Sequence, residues 1–348
     1  PHIMNGNLVK AVALFEAMRA YGLTYESDPS RTPMSEYHQD KDKVDYLQFP
    51  KHTLAYRAGD CDDLSILYSA LLESLNIETA FITIPGHIFL AFSLGELDED
   101  ALARYATEAE EYIVRDDKVW VPVEVTALDE NFLGAWEVGA EEWRQSFRDG
   151  RARFYPIREA WRTYEPVQSP GEVQIIPPSE VDIQNAFVDQ MMILTLREIE
   201  PQETALKQRL ERRPGDVAIL NQLGALYGKY HLFDRAESVF RDIIETTPFA
   251  PALINLGNVY RLRGDDRKAL EYYDRAAEAD PQNGSVLVSI ARANIELRDF
   301  DRAHEVFELL EKVSPALAEK HKYLAAYGDG SSRASDVQAT NEVLWVEE

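Results

Sequence analysis

Cysteine is almost missing from this sequence, because Cys61 is the only one in 348 residues. A single cysteine excludes an intramolecular disulfide and a zinc site built from several thiolates. Long apolar runs are missing as well: no uncharged apolar stretch reaches about 18 residues, so no segment is predicted to span a bilayer. Any chemistry at Cys61 must therefore use partners of other residue types.

Basic residues are also scarce: 36 lysines and arginines stand against 61 aspartates and glutamates, for a net charge of −25. Non-specific nucleic-acid binding needs clustered cations that neutralise phosphates, so this composition argues against that class of protein. Acidic and basic residues nearly balance between residues 200 and 325, whereas the rest of the chain carries most of the negative charge. The asymmetry predicts two modules.

Internal repeats mark the C-terminal half. The stretches LNQLGALYGKYHLFDRAESVFRDIIETTP and LINLGNVYRLRGDDRKALEYYDRAAEADP align at an offset of 33 residues, and VSIARANIELRDFDRAHEVFELLEKVSP follows the second at 34. Small residues recur where two helices would cross, and a proline closes each copy. The pattern resembles the tetratricopeptide repeat (TPR) family and predicts an all-α TPR solenoid over residues 186–327, with a degenerate leading copy that ends at Pro214.

Stacked helical hairpins present a concave face, so the repeats are expected to bind a protein or peptide partner. A spacer or a dimerisation arm is the alternative role for this part of the chain. No nucleic acid and no membrane span are expected.

The N-terminal half is predicted to form an α+β domain over residues 5–160. Helical spacing in NLVKAVALFEAMRAYGL precedes the strand-like segments ETAFITI, HIFLAFSL, EYIVRD and KVWVPVEVT, and RDDK fits a hairpin turn between the last two. A proline-rich linker is predicted at 161–185, and a polar tail that ends in a few apolar residues at 328–348. The opening PHIM is typical of a cleaved tag, which leaves the compartment open between cell envelope and cytoplasm.

Cys61 stands at the start of a predicted helix, in the stretch YRAGDCDDLSILYSALLESLNI. A helix N-terminus offers free amides and the positive end of the dipole, which favour a thiolate and later an oxyanion. Gly59 allows a tight turn just before it. Asp60, Asp62 and Asp63 would oppose a thiolate if they faced the sulfur, so they are expected to cap the helix and point to solvent. A calcium site at these three aspartates is the alternative; otherwise no cofactor is expected.

His87 and Glu124 are the candidate partners of Cys61. His87 begins an apolar strand immediately after a Pro-Gly turn, where its ring is held by backbone yet remains accessible. Glu124 is a lone acid in the strand-like VWVPVEVTAL, and a buried carboxylate needs a partner. A histidine that takes a thiol proton and an acid that orients the histidine are the parts of an acyl-transfer triad.

Taken in order, GDCDDLS, PGHIFLAF and WVPVEVT resemble the transglutaminase-like superfamily, which has a papain-like cysteine-peptidase fold, over roughly residues 5 to 145. The resemblance implies Cys61 as the nucleophile, His87 as the general base and Glu124 as the orienting acid. The family strand usually carries aspartate at this last position, so glutamate is a departure. Gln48 and Tyr56 are the candidates for an oxyanion-binding side chain beside the Cys61 amide.

The resemblance implies a bacterial-type cysteine enzyme that hydrolyses an amide in a protein or peptide substrate, with the TPR repeats binding substrate or partner. A cross-linking transglutaminase is one alternative. The other is an inactive interaction scaffold, which is favoured by the acidic insertion GELDEDALARYATEAEEYIVRDD, because that segment could cover the cleft and attract basic peptides.

Overall fold

The computed structural model describes residues 5–27, 47–97, 110–167, 171, 173–326 and 343–347. Most of the acidic insertion, residues 98–109, lies outside the described residues. The chain forms two compact units that divide between Thr195 and Leu196. No helix among the described residues has the length and apolar character needed to cross a membrane.

The N-terminal unit contains helices and a five-stranded antiparallel sheet, as an α+β domain requires. Its elements in chain order are α1 (Gly6–Tyr21), β1 (Thr24–Tyr25), α2 (Pro50–Tyr56), β2 (Ala58–Gly59), α3 (Cys61–Ser74), β3 (Thr79–Ile84), β4 (His87–Ser93), β5 (Ile113–Arg115), β6 (Lys118–Val123), α4 (Phe132–Arg148), β7 (Arg153–Pro156) and α5 (Ile157–Ala160). The short strands β1 and β2 pair in parallel, apart from the main sheet.

The main sheet has the strand order β5-β6-β4-β3-β7, so β4 and β6 are neighbours near its centre. Hairpins join β3 to β4 and β5 to β6. In the second hairpin Asp116 and Asp117 have φ of 53° and 58°, the left-handed pair that a two-residue type I′ turn requires. The RDDK segment is therefore a turn, as its composition predicted.

Residues along β4 alternate between two cores. Leu90 and Phe92 pack with α1, α3 and α4 on one face of the sheet. Phe89 and Ala91 pack on the other face, in a smaller cluster that includes Phe154 of β7. The period of two along an extended strand produces this division, and it fixes which end of β4 faces α3.

The C-terminal unit is all helical. A long helix, α6 (Glu180–Arg212), is followed by α7 (Val217–Lys229), α8 (Phe233–Thr246), α9 (Ala250–Leu262), α10 (Asp266–Ala279), α11 (Gly284–Glu296), α12 (Phe300–Val313), α13 (Pro315–Lys320) and a 3-10 turn (Lys322–Ala326). The pairs α7–α8, α9–α10 and α11–α12 start 33 and then 34 residues apart, which matches the sequence period.

Glycines set how closely the two helices of a pair approach. A Cβ at Gly224 would come within 2.5 Å of the Phe240 ring, and a Cβ at Gly257 would overlap the ring of Tyr273. The repeated small residue of the sequence pattern therefore leaves room for an aromatic side chain from the second helix. Buried phenylalanine and tyrosine rings at these points form the core of the unit.

The predicted leading repeat is wrong, and so is the end of the predicted linker. Residues before Pro214 form the single 33-residue helix α6, with Pro201 in its interior, instead of a helical hairpin. The same helix begins at Glu180, inside the segment 161–185 that composition marked as linker. Spacing to Pro214 imitated the repeat period, but residues 180–212 contain no glycine or asparagine–aspartate turn that would reverse the chain.

Candidate active site

Cys61 is the first residue of α3 and is only 7 % exposed. Asp60 is the N-cap of this helix, and its side chain accepts a hydrogen bond from the Asp63 amide. A Cβ at Gly59 would lie 2.7 Å from the Asp63 Cβ, so the chain can enter the helix along this path only with glycine. The thiol is thus held at a capped helix N-terminus by a tightly packed turn.

His87 is the first residue of β4 and follows the turn at Gly86, which has a φ of 80°. Its side chain is 23 % exposed. The ring Nε2 lies 2.6 Å from Oε2 of Glu124, within hydrogen-bond distance. The adjacent positions of β4 and β6 in the sheet bring these two side chains together, because Glu124 directly follows β6.

Glu124 is buried, and both of its carboxylate oxygens accept hydrogen bonds. Oε2 faces His87, while Oε1 accepts from the backbone amide of Thr126 at 2.9 Å and from its hydroxyl at 2.5 Å. Burial alone would raise the pKa of Glu124, but the hydrogen bond and charge of His87 and the two Thr126 donors together lower it. Glu124 is therefore an ionised acid that orients the imidazole.

The side chain of Cys61 is a hydrogen-bond partner of His87. Burial by itself would lower the pKa of His87, but hydrogen bonds to Cys61 and Glu124 and the charges of Glu124 and Glu142 raise that pKa to about 10. The structure thus brings the predicted Cys61, His87 and Glu124 (the triad) into contact around one imidazole ring. At neutral pH the ring is an imidazolium, poised between a sulfur and a carboxylate.

Glu142 is a fourth ionisable group at this site, and the sequence did not single it out. Its Oε2 lies 3.7 Å from His87 Nε2. Burial, the Glu124 charge and a hydrogen bond with Glu124 raise the pKa of Glu142 to about 7. Gly139, one turn earlier in α4, packs directly on the strand backbone, since a Cβ there would lie 2.9 Å from the Glu124 amide. A helix glycine three residues before a glutamate was the available signal.

The three aspartates at the start of α3 are turned into local hydrogen bonds. Asp62 and Asp60 both accept from the Asp63 amide, and the Asp63 carboxylate accepts from the Gln48 backbone and side chain at 2.7 and 2.5 Å. Burial, followed by hydrogen bonding and repulsion from Asp60, raises the pKa of Asp62 to about 8. Near neutral pH this pair therefore shares a proton, which reduces the negative charge beside the thiol.

The oxygens of these aspartates lie within 4.8 Å of one another, as do the ligand atoms of His87, Glu124 and Glu142. Calcium takes six to eight oxygen ligands. The Asp63 carboxylate is already used by Gln48, and a protonated Asp62 is a poor ligand. Among the described residues this donor set does not fit a calcium ion, so we derive no step through a metal.

The two oxyanion candidates lie elsewhere. The Gln48 amide donates to Asp63 Oδ2 and to the Ala58 carbonyl at 3.3 Å, which uses both of its hydrogens. Tyr56 is 68 % exposed at the end of α2 and stacks on His52. Gln48 therefore holds the acidic turn before Cys61 in place, and backbone amides at the start of α3 remain the donors closest in sequence to the sulfur.

Comparison with known proteins identifies one part of the chain. The tetratricopeptide repeat family model matches residues 250–283, which form α9, α10 and their flanking turn. Anaphase-promoting complex subunit 3 of Schizosaccharomyces pombe is 33 % identical over 100 residues, 28 % of this chain and 15 % of that protein. The BBSome complex member BBS4 of Bos taurus is 29 % identical over 90 residues, 26 % of this chain and 17 % of that protein.

Among solved structures, a fragment of MamA from Desulfovibrio magneticus RS-1 is similar at 17 % identity and a TM-score of 0.34, over 44 % of this chain and 88 % of that chain. The chain spans less than a fifth of the length of the two curated relatives. Together, the family match and the helical period of 33 to 34 residues show that the C-terminal unit contains tetratricopeptide repeats.

Proposed function

We propose that the N-terminal unit is a cysteine-nucleophile acyl-transfer enzyme of the transglutaminase-like type, and that its reaction is hydrolysis of an amide in a protein or peptide. The observation that carries this proposal is the 2.6 Å contact between His87 Nε2 and Glu124 Oε2, with Cys61 as the second hydrogen-bond partner of the same ring. This is the order of groups that thiol activation needs: nucleophile, base and orienting acid.

The reaction begins with transfer of the Cys61 thiol proton to His87. Because Nε2 faces Glu124, Nδ1 is the ring atom that takes this proton. The sulfur then attacks the carbonyl carbon of the substrate, the C–N bond breaks, and His87 gives its proton to the leaving nitrogen. Water, deprotonated by His87, attacks the resulting thioester, releasing the carboxylic acid and restoring the thiol. An amine in place of water would give a cross-linked product.

The pKa of about 10 at His87 supports this sequence of proton transfers. An imidazolium that persists at neutral pH stabilises the thiolate beside it and can protonate a leaving amine. The helix N-terminus adds amide dipoles that favour negative charge on the sulfur and, after attack, on the carbonyl oxygen. The proton held by Asp62 and Asp60 removes part of the opposing field.

The C-terminal repeats supply protein recognition in this proposal. Proteins that contain such repeats use the helical stack to bind protein or peptide ligands. Here the repeats bring a protein substrate, or an assembly that contains one, to the chain that carries the triad.

An acyl-enzyme trap tests the enzymatic part directly. Wild type incubated with a peptide thioester or activated ester should gain the acyl mass on Cys61, as measured by intact-protein mass spectrometry. Cys61→Ala should gain none, and His87→Ala should react at least about a hundredfold more slowly, the lower end of the contribution of a general base. Equal rates in wild type and His87→Ala would sink the mechanism.

A non-catalytic interaction protein is the second candidate, favoured by two observations. Cys61 is only 7 % exposed, which restricts access by a substrate. The one matching family model is an interaction repeat. In that case the N-terminal unit would unfold cooperatively and keep its His87–Glu124 contact, while wild type would fail to form an acyl-enzyme with any ester tested.

A further inference from the structure

The last described segment of the chain, Val343–Glu347 (the C-terminal strap), lies against the first two repeats of its own unit. Trp345 and Val346 pack on the core formed by α7 to α10, and Leu344 packs on the core of the following repeat. The strap has no regular secondary structure of its own. It is an extended peptide held by a helical surface.

Buried asparagines bind the backbone of the strap. Asn255 donates to the Val346 carbonyl at 2.7 Å and accepts from the Val346 amide at 2.9 Å, so one side chain imitates a neighbouring β-strand. Asn221 donates to the same carbonyl at 2.7 Å, and Asn258 donates to the Leu344 carbonyl at 2.8 Å. These contacts read main-chain atoms at alternate residues, the spacing of any extended peptide.

The three asparagines form a built site. Each is at most 1 % exposed. They are oriented by bonds within the repeats, since Asn255 also donates to the Asn221 carbonyl oxygen at 2.9 Å and the Tyr273 hydroxyl donates to Asn258 at 2.8 Å. Buried amide groups that lack a partner are costly, so a surface that presents three of them is suited to a peptide main chain.

Side chains of the strap add selectivity. The Trp345 ring occupies the space where a Cβ at Gly228 would be, so this glycine in α7 creates room for a large aromatic group. Lys229, the next residue, forms an ion pair with Glu347. The site therefore fits an aliphatic residue, a tryptophan, a second aliphatic residue and an acid in succession.

We propose that the C-terminal strap is an internal occupant of a peptide-binding groove on α7 and α9, and that the external partner is a protein segment of the same chemistry, an extended aliphatic–tryptophan–aliphatic–acidic peptide. The partner binds when the strap leaves. This inference deepens the partner-binding part of the proposed function, and it is independent of the chemistry at Cys61.

Tethering determines how strongly the strap competes. Only residues 327–342 separate it from the last described turn of the repeats. A segment attached by a short tether meets its site at an effective concentration on the order of millimolar. An external peptide of equal intrinsic affinity must overcome that concentration, so its apparent affinity is reduced by the fraction of time for which the groove is open.

The test uses the full chain and a fluorescein-labelled synthetic peptide, NEVLWVEE, with binding measured by fluorescence anisotropy. Trp345→Ala weakens the strap while leaving the repeats intact. The Trp345→Ala chain is expected to bind the peptide at least about tenfold more tightly than wild type, because the internal competitor has been weakened. Trp161→Ala, which changes an exposed tryptophan of the other unit, is the matched control and should bind like wild type.

Two further outcomes decide the proposal without depending on a difficult variant. The peptide NEVLAVEE, in which the tryptophan is replaced, should not bind the Trp345→Ala chain, and Asn255→Ala in that chain should abolish binding of NEVLWVEE. Equal affinity of wild type and Trp345→Ala for NEVLWVEE would overturn the proposal. So would a wild-type dimer that Trp345→Ala dissociates in sedimentation experiments, since the strap would then belong in the groove of a second copy. Failure of either result leaves the acyl-enzyme assay at Cys61 unaffected.

Discussion

Replacing Glu124 by glutamine would remove one negative charge from beside His87 while nearly preserving the shape of the side chain. In wild type one carboxylate oxygen faces His87 Nε2 at 2.6 Å and the other accepts from the amide and hydroxyl of Thr126. A glutamine whose oxygen stays on Thr126 must turn its NH2 group toward His87. Two donors would then meet, so His87 can accept from the glutamine only after Nε2 has lost its proton.

The size of the effect follows from the bond that is lost. A hydrogen bond to a charged group contributes about 1.5–3 kcal/mol, and one pKa unit corresponds to about 1.4 kcal/mol, so the pKa of His87 should fall by roughly one to two units. Its starting value is about 10. Glu142, 3.7 Å away, retains part of the shift. The proton that remains would lie on Nδ1, the ring atom that must receive the Cys61 proton.

Titration of the His87 ring by NMR measures this change, with the His87→Gln spectrum used to assign the signal. We expect a lower pKa in Glu124→Gln and an acyl-enzyme formation rate reduced by at least about a hundredfold, as for loss of an oriented base. Glu141→Gln, which changes an exposed neighbour of Glu142, should leave both values unchanged. An unchanged or higher pKa of His87 in Glu124→Gln would refute the argument that Glu124 holds the imidazolium.

Three further predictions concern stability, measured by urea unfolding. The pKa of Glu142 is raised to about 7 in the folded chain, so the stabilisation from its bound proton is present below about pH 4.5 and is lost as pH rises through 7. Glu142→Gln should therefore raise the free energy of unfolding at pH 8 by roughly 1 kcal/mol, after discounting for solvent screening, and change little at pH 4.5; a loss at pH 8 would contradict this. Thr126→Val removes a hydroxyl donor from a buried carboxylate and should cost about 1–3 kcal/mol, most of which Thr126→Ser restores. Gly257→Ala drives a Cβ into the Tyr273 ring and should cost about 1–3 kcal/mol, whereas Gly6→Ala, with no atom within 4 Å, should not destabilise; a stabilised Gly257→Ala chain would show that the helices can separate without cost.

The repeats could be predicted because their information is local and repeated. Each copy carries a glycine opposite an aromatic ring, and the period of 33 or 34 residues makes the copies visible without a structure. The extra copy before Pro214 failed for the same reason. Proline spacing imitates the period, but the chain from Glu180 to Arg212 lacks a turn and continues as one helix, with Pro201 accommodated inside it.

The triad residues were predictable because each stands at the boundary of an element. Cys61 begins α3, His87 begins β4, and Glu124 follows β6, so the sequence pattern marks all three positions. Glu142 carries no such mark. It lies within an amphipathic helix, and it reaches His87 only because Gly139 lets α4 pack closely on the strand backbone. Contacts that depend on how two elements pack were outside the reach of sequence patterns.

The groove and its strap show the same limit. The polar composition of residues 328–348 predicted a tail, and its last apolar residues gave no indication of where they would lie. The asparagines that bind Val346 occupy helix interiors, where a sequence pattern assigns them to packing. Only their convergence from two repeats on one backbone carbonyl reveals a peptide site.

The reactivity of Cys61 toward iodoacetamide as a function of pH tests the central claim most directly, because the chain has no other cysteine to react. An activated thiolate beside the His87 imidazolium should be alkylated at pH 6 within a few-fold of its rate at pH 8, and His87→Ala should restore the ordinary rise of about tenfold per pH unit below the thiol pKa. A wild-type rate that already rises about tenfold per unit between pH 6 and 8, with no change in His87→Ala, would contradict the account of Cys61 as a nucleophile.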